Sequence, residues 1–554
     1  MRAWRHSPYS SHIIFSLWLA IVLSACSDTP PLPTPAIQFS QVTAEAGIDF
    51  VHYNGFSGEY YYIETFGGGA AFFDYDNDGW LDLYLVNGTY IKGYPPDPLP
   101  TNRLYRNLGD GHFSDITASA KLADSQYGFG VSAADYDADG DQDLFVANHG
   151  PNAFYRNDGG AFSEVGAAIG VDDPRWGSSA GLLDYDADGD IDLFVANYVR
   201  FSLADNTVCK QGKVRSYCQP NAYEPTRDLL YRNDGTAFSD ITAAAGIALK
   251  GRGLGVAFSD YDLDGDTDIY VANDGNMNFL YDNRQGHFSE VGLTAGTRYN
   301  EYGHADAGMG VDFGDYDADG DQDLFVTNFT KETNNLYRNE GQGHFTLATS
   351  ITGLAGPSLK PLGFGTRFFD YDLDADLDLF VANGHVVDQI AAADPEQSYY
   401  QSNQMFRNED GTRFADISSE LGASFTAANV GRATAVADYD NDGDQDLLVT
   451  TVANAPRLLR NDGSHHRHWL LVELVGARHP DALGARVTVI AGDRRQVRER
   501  QSGGSYLSSH DPRLHFGLDT ATRADIEIRW PDGMRQHLDD IAADQILRVV
   551  QPSP

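Results

Sequence analysis

Apolar and polar positions follow one long repeat through most of the chain. An apolar segment, often bearing glycine, as in Gly128-Phe-Gly-Val-Ser-Ala-Ala134 or Gly363-Phe-Gly-Thr-Arg-Phe-Phe369, runs into a short acidic loop. The loop runs straight into a second apolar segment such as Leu144-Phe-Val-Ala-Asn148. A third ends in Leu-Tyr-Arg-Asn or a variant (Leu104 to Asn107, Phe154 to Asn157, Leu230 to Asn233, Leu336 to Asn339). Gly-x-Phe, as in Gly111-His-Phe113, then leads to Asp115-Ile-Thr117, matched later by Asp240-Ile-Thr242. Short apolar runs separated by polar turns predict about four β-strands per unit. Self-similarity at a period of roughly 50 residues marks a repeat architecture, and four strands is the content of one propeller blade. The pattern therefore predicts an all-β fold, a seven-bladed β-propeller over residues 38–464. A linear β-solenoid would need much shorter repeats.

The acidic loop has the form D-x-D-x-D-G-x-x-D and occurs seven times. The first copy supplies Asp74, Asp76, Asp78, Trp80 and Asp82; the second, Asp135, Asp137, Asp139, Asp141 and Asp143. The third supplies Asp184, Asp186, Asp188, Asp190 and Asp192; the fourth, Asp260, Asp262, Asp264, Asp266 and Asp268. The fifth supplies Asp315, Asp317, Asp319, Asp321 and Asp323; the sixth, Asp370, Asp372, Asp374, Asp376 and Asp378. Asp438, Asp440, Asp442, Asp444 and Asp446 complete the set. Carboxylates at positions 1, 3, 5 and 9 of a tight loop offer hard oxygens around one point, which suits Ca²⁺ and its roughly 6–8 oxygen ligands. Glycine at position 6 permits φ > 0. Position 7 is expected to contribute its backbone carbonyl, because Trp80 has no side-chain oxygen; the aspartates there are outer charge. A plain Asp-Gly hairpin turn is the competing account, but a turn needs no four spaced carboxylates. Up to seven calcium ions are expected. The sixth loop departs from the pattern with Ala375 in place of glycine, which costs roughly 1–2 kcal/mol and predicts the weakest or an empty site.

The net charge of −41 changes the picture less than its size suggests. The loops hold 34 aspartates, and seven calcium ions would offset 14 charges. An acidic balance explained by metal argues against nucleic acid as a partner. From His468 onward the chain is nearly neutral, with 11 arginines against 12 acidic residues. Trp469 to Val475, Ala485 to Ile490, Ala524 to Trp530 and Gln545 to Val550 alternate as strands do, predicting a small β-sandwich over residues 468–551.

The first residues read as an export signal: Arg2 and Arg5, then an apolar run from Ile13 to Leu23 too short to span a bilayer comfortably. Leu23-Ser-Ala-Cys26 resembles the bacterial lipobox, which implies cleavage after residues 1–25 and lipid attachment to Cys26. Ser27 after the cysteine goes with outer-membrane sorting, and residues 27–37 read as a stiff Pro-rich tether. Two further cysteines, Cys209 and Cys218, sit in an insertion from Tyr198 to Asp228. In an oxidising compartment they are expected to form a disulfide, with two free thiols as the alternative.

The repeated loops resemble the FG-GAP (VCBS) repeats of integrin α-subunit propellers, with Phe129-Gly130 and Phe364-Gly365 standing at the Phe-Gly pair. Gly484-Ala-Arg-Val, Gly503-Gly-Ser-Tyr-Leu-Ser508, His515-Phe-Gly-Leu518 and Trp530-Pro-Asp-Gly533 look like the ASPIC and UnbV domain. Repeats followed by that domain are the arrangement of the cartilage acidic protein family, and the insertion with Tyr217-Cys-Gln-Pro220 is similar too. The resemblance implies structural calcium and adhesion-type roles rather than a reaction.

Gly177-Ser-Ser-Ala-Gly181 matches G-x-S-x-G, but it occupies a strand slot and lacks the strand–turn–helix context that motif needs. His465, His466 and His468 fall at the domain junction and read as solvated linker residues. Tyr60-Tyr-Tyr62 and Tyr399-Tyr400 are expected to pack between blades, with a ligand face as the alternative. No convincing catalytic constellation emerges. The sequence points to a calcium-stabilised, lipid-anchored envelope module that binds a protein or glycan, the Cys209–Cys218 insertion being the expected contact loop. A polymer-degrading propeller enzyme and an envelope assembly scaffold are the alternatives.

Overall fold

The computed structural model describes residues 37–93, 95–211, 214–463 and 466–553. The signal segment, Cys26, most of the tether and His465 lie outside the described residues. Seven four-stranded antiparallel sheets follow one another along the described chain, and each acidic loop joins the first strand of a sheet to the second. The first strands are Ala70–Phe73, Gly128–Ala134, Gly177–Leu183, Gly253–Ser259, Val311–Gly314, Gly363–Phe369 and Gly431–Ala437. Each touches the first strand of the next sheet, and the seventh touches the first, so the sheets close into a propeller ring. The seventh sheet borrows its outermost strand from the other end of the repeat region: Phe39–Gln41 pairs antiparallel with Arg457–Asn461.

Both faces of these sheets are buried, which explains why the strands read as continuous apolar runs. In Asp378–Asn383 all six residues are buried. Leu379 and Val381 pack toward the fifth sheet, while Phe380 and Ala382 pack toward the seventh. One apolar cluster of this kind fills the gap between every pair of neighbouring sheets. Near the axis the strands approach so closely that side chains are excluded: a Cβ on Gly130 would lie 2.1 Å from the carbonyl oxygen of Ser178 on the next sheet.

The C-terminal domain has two sheets. His468–Val475 pairs antiparallel with Leu514–Asp519 and parallel with Gln545–Val550. Arg494–Glu499, Arg486–Ala491, Arg523–Arg529 and Arg535–Ala542 form the second sheet. Leu470, Val487, Phe516, Ile526, Ile528 and Trp530 belong to one shared core. The strands Arg494–Glu499, Leu514–Asp519 and Arg535–Ala542 extend the four that alternation predicts.

Between the two sheets the chain leaves the domain and fills the centre of the ring. Ser509 donates to Ala70 O (3.0 Å), and its carbonyl accepts from Phe72 N–H (3.2 Å). Leu507 accepts from Val131 N–H (3.2 Å) and donates to Ser179 Oγ (3.0 Å). Ser505 donates to Val311 O (2.9 Å) and accepts from Thr366 N–H (2.8 Å). Ser502 and His510 complete the set at Leu182 and Val436. This plug is buried from Ser502 to His510 and hydrogen-bonds to the first strands of six sheets.

Candidate functional site

The seven loops share one backbone plan. In the first loop position 1 accepts two N–H groups, Asp78 N–H reaching Asp74 at 3.0 Å and Gly79 N–H at 2.8 Å; the second, sixth and seventh loops repeat both bonds, and the third and fourth keep the one from position 6. Position 9 ties the loop to the sheet: Asp82 accepts from Tyr75 N–H (3.0 Å) and from Asn107 N–H on the third strand (2.8 Å). Position 6 is left-handed as predicted, with φ from 87° at Gly79 to 107° at Gly265. Ala375 adopts φ 74° and still donates to Asp370 at 2.9 Å, so the sixth loop keeps the common shape. Position 4 is left-handed as well: Asn77, Ala138, Ala187, Leu263, Ala318, Leu373 and Asn441 all lie between 55° and 62°. At about 1–2 kcal/mol per non-glycine residue, such strain persists only where the surroundings dictate it.

This plan draws the carboxylates together. One oxygen each from Asp135, Asp137 and Asp143 lies within 4.8 Å of the others; Asp184, Asp186 and Asp192 do the same, as do Asp260, Asp262 and Asp268. In the first loop Asp74, Asp76 and Asp78 converge likewise. Partners run out at positions 3 and 1: Oδ1 of Asp76, Asp186, Asp317 and Asp440, Oδ1 of Asp184 and both oxygens of Asp315 are buried without a hydrogen-bond partner. Burial pushes Asp82 up to about 8, and Asp143 and Asp192 to about 9. Asp268, Asp323, Asp378 and Asp446 are held far above the usual range by the same cause. Crowded carboxylates with orphaned buried oxygens are a donor set that fits a hard divalent cation. Position-7 side chains are engaged elsewhere. Asp141 accepts from Asn77 of the neighbouring loop (2.8 Å), and Asp376 pairs with Arg494 (2.7 Å).

The asparagine closing each third strand bolts the blades together. Asn107 Nδ2 donates to Tyr439 O in the seventh loop at 2.8 Å, and Asn157 reaches Tyr75 O at 2.8 Å. Asn233, Asn283, Asn339, Asn408 and Asn461 repeat the bond to the position-2 carbonyl of the preceding blade. Each loop is thus held by two sheets at once.

The C-terminal domain lies over this loop face. Arg467 pairs with Asp372 at 2.9 Å, and Arg529 pairs with Asp260. Arg486 donates to Gly320 O, and Arg513 donates to Asp438 O (2.7 Å) and Asn441 (2.7 Å). Asp481 accepts from Asp135 N–H at 2.7 Å.

The opposite face holds a cavity of about 930 Å³. Its walls come largely from segments outside the repeat, including Tyr217 to Asn221 of the insertion, Phe329 to Glu332 and His385 to Gln397, with Leu254 and Phe364 contributed by two of the first strands. Cys209 and Cys218 are joined in a disulfide there. Tyr62 is buried in an axial aromatic cluster with Phe66, Trp176, Tyr198 and Tyr223 rather than between two blades. Tyr506, at the tip of the plug, belongs to the same cluster and packs against Phe364 at 5.1 Å. Tyr62 and Tyr198 share a hydrogen bond of 2.6 Å, and Tyr198 donates onward to Asp274. Ser179 of the G-x-S-x-G match is buried and donates to Leu254 O (2.5 Å), and His468 at the domain junction faces Asp544 (2.7 Å).

A family model described as FG-GAP-like repeat matches residues 74–146, 135–195, 260–326 and 315–381. One described as ASPIC and UnbV matches residues 476–554. The chain is similar to cartilage acidic protein 1 of Homo sapiens, 27% identical over 323 residues, covering 57% of this chain and 45% of that protein. The Mus musculus protein is 26% identical over 57% of this chain and 46% of its own length. The chain therefore spans about half the length of the curated relatives it matches. Among solved structures, an Agrocybe aegerita lectin described by its recognition of non-reducing terminal N-acetylglucosamine aligns with TM-score 0.37 and 15% identity, over 63% of this chain and 79% of its own.

Proposed function

We propose that this chain, which carries FG-GAP-like repeats followed by an ASPIC and UnbV domain, is a calcium-held β-propeller binding module. It is exported, anchored in the cell envelope by lipid on Cys26, and its ligand is a protein or glycan. The observation that carries the calcium reading is the set of orphaned position-3 oxygens beside buried carboxylates. Positions 1, 3, 5 and 9 and the position-7 carbonyl would hold the ion, which supplies the positive charge those carboxylates lack. The cation is structural in this reading, since each loop sits where two sheets are bolted together and its carboxylates are consumed in the loop. A binding role accords with the plug, which fills the centre of the ring and leaves the opposite face as the open one.

The test is thermal unfolding of the lipid-free chain beginning at Ser27, titrated between calcium and chelator, with bound ions counted by native mass spectrometry. A rise in melting temperature with several ions bound is expected. No bound calcium and no shift would overturn the metal assignment and return the aspartates to other chemistry.

A further inference from the structure

The cavity on the face away from the loops has the composition of a ligand site, and its unmatched polar atoms restrict what can fill it. About 930 Å³ lies within the range of small-molecule sites, roughly 300–1,000 Å³. Aromatic side chains line it, among them Tyr62, Phe66, Tyr217, Phe329 and Phe364. His385 is 1% exposed, and its Nδ1 accepts from Val387 N–H at 2.9 Å. That bond places the ring proton on Nε2, a buried donor with no partner. Burial and the nearby Arg432 guanidinium push this imidazole down to about 4, so it stays neutral. Arg432 itself is spent on the carbonyls of Thr65, Gly384 and Gly431 and on the face of Phe364, 4.0 Å away.

Residues with acceptor groups line the same cavity. Oε1 of Gln397 is buried and unpartnered. Asp274 and Glu332 line the wall, and Lys331 there is already paired with Asp394 at 2.7 Å. An anionic ligand meets two carboxylates, while the Arg252 guanidinium beside Asp274 is directed to Asn276 and the Tyr223 carbonyl. A hydrocarbon leaves His385 and Gln397 unsatisfied, at a penalty of about 1–3 kcal/mol each. A simple ammonium suits the carboxylates but offers nothing to the His385 donor. Hydroxyl groups both donate and accept, and a pyranose carries them around an apolar ring face that packs on aromatic side chains.

We propose that this cavity binds the end of a neutral carbohydrate, whose hydroxyls accept from His385 Nε2–H and donate to Asp274, Glu332 and Gln397. The inference deepens the binding-module reading and rests on it. The disulfide-held insertion is then one wall of the sugar site, with Tyr217 beside the entering chain.

The test is an array of neutral gluco-, galacto- and manno-configured oligosaccharides printed beside uronic- and sialic-acid-bearing ones, probed with the full chain in detergent and calcium. Retention of neutral glycans at least about tenfold over acidic ones is expected. His385→Phe removes the donor and should weaken that retention by about tenfold or more, in keeping with the cost of unmatched buried polar groups. Glu332→Gln, which keeps shape and removes charge, should narrow the gap between neutral and acidic glycans. Variants are compared only at unchanged melting temperature. Preference for acidic glycans, no retained glycan, or neutral binding indifferent to both substitutions would overturn the proposal. If no glycan is retained while calcium still raises the melting temperature, the sugar site falls and the calcium-held ring stands; loss of both removes the reading beneath it.

Discussion

The two faces of the ring are built on opposite principles. One repeats a nine-residue acidic loop seven times and is covered by the arginines of the C-terminal domain. The other is assembled from segments that occur once, and it encloses aromatic rings, a neutral histidine and two carboxylates. Repetition suits a structural task, because every blade must be held to its neighbour in the same way. Recognition needs positions that are free to differ, and those are the departures from the repeat. A fault on the loop face should therefore travel around the ring, whereas one on the cavity face should stay local.

The largest effect expected follows from removing calcium. Each ion bound at a hundredfold excess over its dissociation constant contributes about 2.7 kcal/mol, so stripping several should lower the melting temperature by at least about 10 °C. The pH dependence should then change sign. In chelator, the folded Asp82 keeps its proton up to about pH 8, whereas an unfolded aspartate loses it near 3.8. The folded state therefore holds the extra protons in that window, and raising the pH from 5 to 8 should destabilise the stripped protein. With calcium present the same rise supplies carboxylates to the ion, and the gain from calcium should grow. Melting curves at matched pH, with and without chelator, check both statements; a stripped protein that became more stable across this window would contradict the burial of position 9.

The plug links the faces, and its failure should be the next largest. Leu507 is 1% exposed and sits among the axial aromatics while its backbone bonds to the second and third sheets. Leu507→Ala should cost about 2–5 kcal/mol, read by denaturant unfolding. If the C-terminal domain merely rested on the ring, calcium sensitivity would be untouched. If the plug sets the spacing of the first strands, calcium affinity should weaken along with stability. Replacing Cys209 and Cys218 together by serine should do less to the ring. A short loop loses about 2–3 kcal/mol of chain-entropy stabilisation, but here that loss falls on the insertion. Protease cleavage between residues 198 and 228 should rise at a nearly constant melting temperature. A large fall in melting temperature would mean that the cavity wall also holds the ring.

The same contrast decides what could be read from residues alone. The blades, the loops, the disulfide and the two-part organisation were legible because each left a spaced pattern. The strand-ending asparagines were visible as a motif, but not as bolts: Asn283 meets Tyr185 O across 98 positions, and nothing local in Leu-Tyr-Asp-Asn signals a partner. Position 4 gave no warning either, since Ala138 and Leu263 carry no preference for the left-handed region that they occupy. The plug read as a glycine-rich motif of the C-terminal domain, because hydrogen bonds to six different sheets have no periodicity. The cavity was the least legible of all. Its histidine and glutamine share one single-copy segment, its carboxylates come from two others, and they converge only when the ring closes.

The smallest effect concerns the one loop that breaks the rule. Ala375 holds φ 74° where the other copies use glycine, and this loop is the one gripped by Arg467 and Arg494. Two accounts are available. The alanine strain is tolerated because the arginines clamp the loop around its ion, or the arginines take the place of the ion and glycine is no longer needed. Ala375→Gly separates them. Relief of a left-handed alanine is worth about 1 kcal/mol, partly offset by the greater freedom of glycine in the unfolded chain. If the loop holds calcium, the variant should bind it severalfold more tightly while the number of ions in native mass spectra stays the same. If the arginines have replaced the ion, the ion count stays one short of the loops in both proteins, and only Arg467→Gln with Arg494→Gln would let the last ion in.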